Sequence, residues 1–291
     1  MGQIQSNKKV VKVLGKRTGL GNQIQFIPII RELQKYYTVC SDSKVFSSLG
    51  LDIEEEQKAD IHITVFGYDH QKLWKERLAN KGTFYGFKYR IKKRHIGIGY
   101  DKSIRFDEGI SEIDNNVRLF EYCFNKKIEN FRFHLDGWKP EKNLVIAGIS
   151  PKEEKTLPFT VWRIVLRKLM DKGFDVLTVD KDIGVNYVKT PDLAKLKETL
   201  SRASYYIGTD SGVMHLADIL GVPSLIMFGS TSIIKNQPYN RGKVITRNLS
   251  CSPCFDWGRI NCQINYECMK FNHMDIVNSF LSFVKDIERD E

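Results

Sequence analysis

A chain of 291 residues, at about 150 residues per domain, predicts two folded domains and excludes a peptide or a stapled mini-domain. Its 42% hydrophobic, 11% aromatic and 27% charged content excludes a disordered chain. Six cysteines are too few for a disulfide scaffold, and no apolar run approaches the roughly 18 residues that cross a bilayer. Lysine plus arginine at 45 against 35 acidic residues leaves a charge of +10, which favours an acidic partner: a phosphate-bearing substrate, nucleic acid or an anionic membrane surface.

The opening residues have no apolar stretch before Lys16 and Arg17, so they do not read as a signal peptide and predict a cytoplasmic location. Gly2 and Ser6 fit the loose myristoylation spacing, although a polar lead-in to a first strand covers the same residues. Lys9 to Gly15 predicts a strand, Thr18 to Asn22 a glycine-rich turn, and Gln23 to Tyr37 an amphipathic helix. Tyr37–Ser41, Ile61–Phe66 and His95–Gly99 are further β-like runs between polar or helical stretches. The densest basic stretch runs from Lys88 to His95 and reads as a solvated face, with single-stranded nucleic acid as the sharper alternative.

Around Phe133 to Asn143 the chain turns polar, with Gly137 and Pro140, so the expected domains are 1–138 and 139–291. The second half then alternates: strand Leu144–Gly148, helix Thr160–Lys172, strand Phe174–Val179 and helix Asp192–Arg202. Strand Tyr205–Gly208, helix Val213–Leu220, strand Ser224–Phe228 and a terminal helix Met274–Ile287 follow. Alternation of this kind predicts parallel sheets, hence an α/β protein of two Rossmann-like units.

The sharpest chemistry lies between Tyr206 and Thr231. A strand stops at Gly208, and Asp210, Ser211 and Gly212 open a helix whose unpaired N–H groups form an anion site. Gly212 permits close backbone approach, His215 projects from the first turn, and a second strand ends nearby at Gly229-Ser230-Thr231. Helix capping alone is the plainer account of Asp210 and His215.

This run resembles the signature of glycosyltransferase family 9, the heptosyltransferase type, D-[TS]-G-x-x-H-x-A-x5-P-x4-F-G-x-T. Asp210, Ser211, Gly212, His215, Ala217, Pro223, Phe228, Gly229 and Thr231 fall in register. Gly19 to Leu33 is similar to the family's first loop and helix, and Lys155-Thr-Leu-Pro158-Phe-Thr-Val-Trp162 to its K-x-[WL]-P-x-x-x-W element. Cys251, Cys254, Cys262 and Cys268 resemble its cysteine-rich tail. The resemblance implies a GT-B architecture, two Rossmann-like domains facing across a cleft, with the acceptor on the N-terminal side and the nucleotide-sugar on the C-terminal side. It further implies inverting transfer of a heptose-like sugar, typically from an ADP-activated donor, without a catalytic metal. On the matching positions, Ser150 and Lys155 would contact phosphate, Asp210, Ser211, Gly212 and His215 would hold the diphosphate and sugar, and Thr231 would lie close by. Lys155 and the helix N-terminus would take the place of a metal in neutralising the leaving group.

One position departs from the family pattern. Where the resemblance implies an aspartate general base, this chain has Asn22, whose amide cannot take up a proton at neutral pH. Three alternatives follow: another carboxylate substitutes, with Asp69, Asp101 and Glu112 as candidates; Asn22 positions an acceptor that reacts slowly; or the chain binds sugar nucleotides without turnover. The four cysteines suit a structural zinc or iron, as in some autotransporter-modifying relatives, or else reduced thiols or a disulfide. Cys40 and Cys123 read as core residues. The expected acceptor is a cell-surface saccharide such as a lipopolysaccharide core, or alternatively a protein. Any membrane contact would be peripheral, and nucleic acid is not an expected partner.

Overall fold

The computed structural model describes residues 8–91, 94–129, 131, 133–254 and 262–290. The chain forms two compact units, Met1–Arg132 and Phe133–Glu291. The segment after residue 133 is bonded into the second unit: Leu135 N–H donates to Ile219 O at 2.6 Å, Lys139 N–H to Ser201 O at 2.8 Å and the Trp138 indole to Ala203 O at 2.8 Å.

The first unit opens with strand β1 (Val10–Leu14), whose Val11, Val13 and Leu14 are buried. Lys12 is the exception in this run. Its ammonium is buried against Glu56 and Glu76, and those carboxylates raise its pKa although burial alone would lower it. The single helix expected from Gln23 to Tyr37 is instead two, α1 (Leu20–Gln25) and α2 (Ile27–Gln34). The break falls at Phe26 because Pro28 has no N–H to continue the ladder and suits the first turn of a new helix.

Strand β2 (Thr38–Ser41), helix α3 (Val45–Ser48), strand β3 (Ile61–Thr64), helix α4 (His70–Ala79) and strand β4 (Thr83–Phe87) follow. The β-like run at His95–Gly99 is not part of the main sheet. Strands β5 (Tyr89–Ile91) and β6 (Arg94–Ile96) pair antiparallel as a separate hairpin. The fifth sheet strand is β7 (Lys102–Ile104), before helix α5 (Glu112–Phe124). The sheet order is β2-β1-β3-β4-β7, with every pairing parallel. Cys40 and Cys123 are buried within this unit. Lys92 and Lys93 of the basic stretch, and Gly2 and Ser6, lie outside the described residues.

In the second unit, strand β8 (Leu144–Gly148) leads to helix α6 (Phe159–Asp171), strand β9 (Asp175–Val179) and helix α7 (Leu193–Ser201). Strand β10 (Tyr205–Thr209), helix α8 (Gly212–Ile219), strand β11 (Ser224–Phe228) and the short helix α9 (Ile233–Asn236) come next. An edge strand β12 (Gly242–Thr246), which the sequence did not announce, precedes the terminal helix α10 (His273–Asp290). The sheet, β12-β11-β10-β8-β9, is wholly parallel. On one face Val145, Ala147, Tyr205, Ile207, Leu225 and Met227 pack with Trp162, Val165 and Leu169 of α6 and Ile276 and Phe280 of α10. That core fixes the strands, and the parallel pairing brings all their carboxyl ends to one edge. Among the described residues, no helix is long and apolar enough to cross a membrane.

Candidate functional site

At that edge Ser150 follows β8, Asp180 follows β9, Asp210 follows β10, and Gly229-Ser230-Thr231 follow β11. Ser211 is the N-cap of α8, its Oγ accepting the Met214 N–H at 3.3 Å. This leaves the first helical N–H groups, including that of Gly212, facing the strand ends. The loop carrying Lys155 is tied to the β11 turn, because Ser230 Oγ donates to Glu154 O at 2.9 Å.

Asp210 is the hub of the site. Its Oδ2 lies 3.1 Å from Lys155 Nζ and accepts from Asn236 Nδ2 at 3.2 Å, while His215 Nε2 is 3.8 Å from Oδ1. Burial would raise this carboxyl, but Lys155, then His215 and the Thr231 hydroxyl, outweigh it and hold it below the usual carboxylate range. Burial lowers His215 most, and Lys155 and Lys235 add to that against the opposing pull of Asp210, bringing it to about 4. At neutral pH His215 is therefore an uncharged imidazole with one N–H to donate. Ser150 is buried and accepts the Lys152 N–H at 3.3 Å.

The arrangement joins Lys155, neutral His215, small hydroxyls and a helix N-terminus around one carboxylate. Chemically it can take up an anionic group and neutralise charge developing on it. Asp180, exposed at the end of β9 with φ of 75°, adds a carboxylate able to accept from sugar hydroxyls. Sequence reading missed Asp180, Asn236 and Lys235, because nothing local marks a residue whose role is set by a neighbouring strand end.

Residues 184–264 match the model of glycosyltransferase family 9 (heptosyltransferase). The chain resembles family 9. A family 9 glycosyl transferase from Veillonella parvula is 15% identical, with 96% of this chain and 98% of that one covered and a TM-score of 0.71. Escherichia coli heptosyltransferase WaaC with ADP is 12% identical, with 95% and 99% covered and a TM-score of 0.65. The iron-containing dodecameric glycosyltransferase TibC of enterotoxigenic E. coli is 14% identical, with 98% and 77% covered and a TM-score of 0.57. No curated protein matches the sequence. These likenesses show the fold: two α/β units of the GT-B type.

The other site positions expected from family 9 lie elsewhere. Asn22 sits in α1 of the first unit, where its Nδ2 donates to Phe66 O at 3.0 Å. Gly67 follows with φ of 80°, and a Cβ there would come within 3.2 Å of that amide nitrogen. The side-chain oxygen of an asparagine can accept a hydrogen bond but cannot take up a proton.

Of the carboxylates weighed as substitutes, Asp69 caps α4, its Oδ1 accepting the Lys72 N–H at 3.0 Å. Glu112 is buried in the first turn of α5. Asp101 is held by both guanidinium nitrogens of Arg77 at 2.8 and 2.9 Å and accepts the Phe84 N–H at 2.7 Å. The Arg77 hydrogen bonds keep its carboxyl below the usual range, the opposite of what a general base requires. Asp101→Asn is expected to lower the melting temperature by a few degrees and to leave the pH profile of any transfer reaction in place. A lost acidic limb in that profile would return Asp101 to the catalytic set.

All four tail cysteines are free thiols: Cys251 exposed, Cys254 and Cys262 half-buried and Cys268 buried. The Tyr266 N–H donates to Cys262 Sγ at 3.1 Å, and the Cys254 N–H donates to Ser230 O at 2.9 Å, tying the tail to the β11 turn. Burial and then the neighbouring thiols raise Cys254 and Cys268, so the four share one region. Among the described residues, however, no three His, Cys, Asp or Glu side chains are grouped to hold a metal ion.

Proposed function

We propose that this protein is an inverting glycosyltransferase that moves a heptose-like sugar from an ADP-type nucleotide donor to an acceptor hydroxyl. The observation that carries this reading is the convergence of Lys155, Asp210, Ser211, His215 and the α8 N-terminus at one edge of the second sheet. The diphosphate would lie on the helix N-terminus beside Lys155, with the Ser150 and Thr231 turns around it and Asp180 against the ribose or sugar hydroxyls. The acceptor oxygen attacks the anomeric carbon from the face opposite the diphosphate, whose C–O bond breaks with its electron pair left on the phosphate. Lys155 and the N-terminal N–H groups meet that new charge, and His215 donates its N–H to a phosphate or sugar oxygen. Lys155 and the α8 N-terminus would supply there what a divalent ion otherwise supplies.

Asn22 would accept a hydrogen bond from the acceptor hydroxyl and orient it, and the hydroxyl proton would leave to solvent water as the new bond forms. The charge of +10 fits an acidic acceptor such as a lipopolysaccharide core, and a peripheral contact with an anionic membrane surface. A second reading, transfer to a protein, draws on the resemblance of the four-cysteine tail to that of some autotransporter-modifying relatives. A silent sugar-nucleotide binder is the outcome expected if Asn22 has no catalytic replacement.

Calorimetric titration with ADP, GDP, UDP and CDP, followed by a transfer assay with the sugar form of whichever binds, tests the proposal. ADP binding with transfer supports it. Binding without transfer to any saccharide, protein or water acceptor reduces it to the silent reading, and no binding overturns it.

A further inference from the structure

Tyr206 lies in the middle of β10 with no exposed surface. It shares a face of the sheet with Gly208, two residues on, and with Gly148 of β8, which pairs with Gly208 in register. Added Cβ atoms at Gly148 and Gly208 would stand 2.8 and 2.6 Å from Tyr206 Cζ and closer still to its Oη. Glycine at both places is what allows the ring to lie across two strands with its hydroxyl at their carboxyl ends. Phenylalanine would fill the same volume. The hydroxyl is buried yet makes no hydrogen bond of good geometry among the described residues, an expensive choice for a group that packing alone does not need.

The side chain beside that hydroxyl is Ser211, with the carboxylates of Asp180 and Asp210 within electrostatic reach. Burial, reinforced by those two charges, keeps the phenol protonated and so a donor. Ser211 Oγ already spends one lone pair on the Met214 N–H. A hydroxyl has two lone pairs and one proton. If the second lone pair accepts from Tyr206, both acceptor positions of Ser211 are filled and its proton is left to donate to a third group.

We propose that Tyr206 is a positioning residue of the donor site: its O–H donates to Ser211 Oγ when an anion is held at the start of α8, directing the serine proton onto that anion. This rests on the donor-site reading above. No residue of the family signature matched in this chain falls on Tyr206, and its signal in the sequence is a tyrosine two residues before a glycine that pairs with another glycine.

The test uses Tyr206→Phe in the full chain, alone and combined with Ser211→Ala, with ADP as the probe. Tyr206→Phe is expected to keep or slightly raise the melting temperature while weakening ADP binding about tenfold. In the Ser211→Ala background the phenylalanine is expected to cause no further loss, since the group it acts through is gone. Unchanged ADP affinity, a full additional loss in the Ser211→Ala background, or a Tyr206→Phe chain that no longer melts cooperatively would each overturn the inference alone. Failure of the unsubstituted chain to bind ADP would overturn the ADP donor-site reading and this inference together.

Discussion

Alanine at Lys155 is expected to weaken nucleoside diphosphate binding by about 10- to 100-fold, the worth of one charge-assisted contact to phosphate in a partly buried site. The same substitution strips Asp210 of its cationic partner, and breaking a buried pair in this way costs on the order of 3–5 kcal/mol. Asn236 and Thr231 still bond the carboxylate, so the lower end of that range applies. The two effects separate in a double-mutant cycle. Asp210→Asn removes the charge that Lys155 neutralises, so the chain carrying both changes is expected to recover melting temperature but not affinity. Calorimetry and thermal denaturation on the four chains measure both. Wild-type affinity in Lys155→Ala would mean that the ammonium serves only to fold the site.

Acidification from pH 6.5 towards 4 is expected to destabilise the second unit through His215. Its pKa is about 4 when folded, against 6.5 for a solvated imidazole, so the unfolded chain binds more protons across that window. The contribution is complete above about 6.5 and is lost as pH falls towards 4. Asp210, held low, acts in the same direction further down, its contribution being present above about 3.8 and lost below it. Asp218 acts in the opposite direction. Burial raises it to about 6, so its protonated form is favoured in the fold and stability falls as pH climbs from about 4 to 6. The difference between wild type and His215→Asn therefore isolates the histidine. The gap in melting temperature between the two is expected to narrow by on the order of 5 °C over this range. A constant gap would show that His215 titrates normally.

The second unit was legible because its strands are short apolar runs closed by glycine, proline or a small polar turn, and Ser224–Phe228 lies where the sequence places it. Edge elements were harder to read. Strand β12 is partly exposed along its length and carries Lys243, so it lacks the buried run that marks a central strand. His95–Gly99 reads like a sheet strand from composition alone, and only the partner that Arg94–Ile96 finds distinguishes a hairpin from a sheet. In the site, Asp210, Ser211, Gly212 and His215 are contiguous and stand out. Asn236, Asp180 and Tyr206 reach the same place from separate turns and strands, with no spacing to connect them.

The first unit has the same strand–turn–helix grammar as the second, yet its opening turn is already engaged. Asp42, at the end of β2, accepts the Gly15 N–H at 2.7 Å and the Lys16 N–H at 2.9 Å on one carboxylate oxygen. That side chain behaves as a resident anion, and a diphosphate approaching these N–H groups would have to displace a covalently tethered rival and face its repulsion. On the proposed reading of the second unit, the two halves therefore differ in what meets the N–H groups of their opening turns, which in the first is the chain's own carboxylate. Removing the carboxylate, rather than adding anything, is the change that would blur the distinction between the halves.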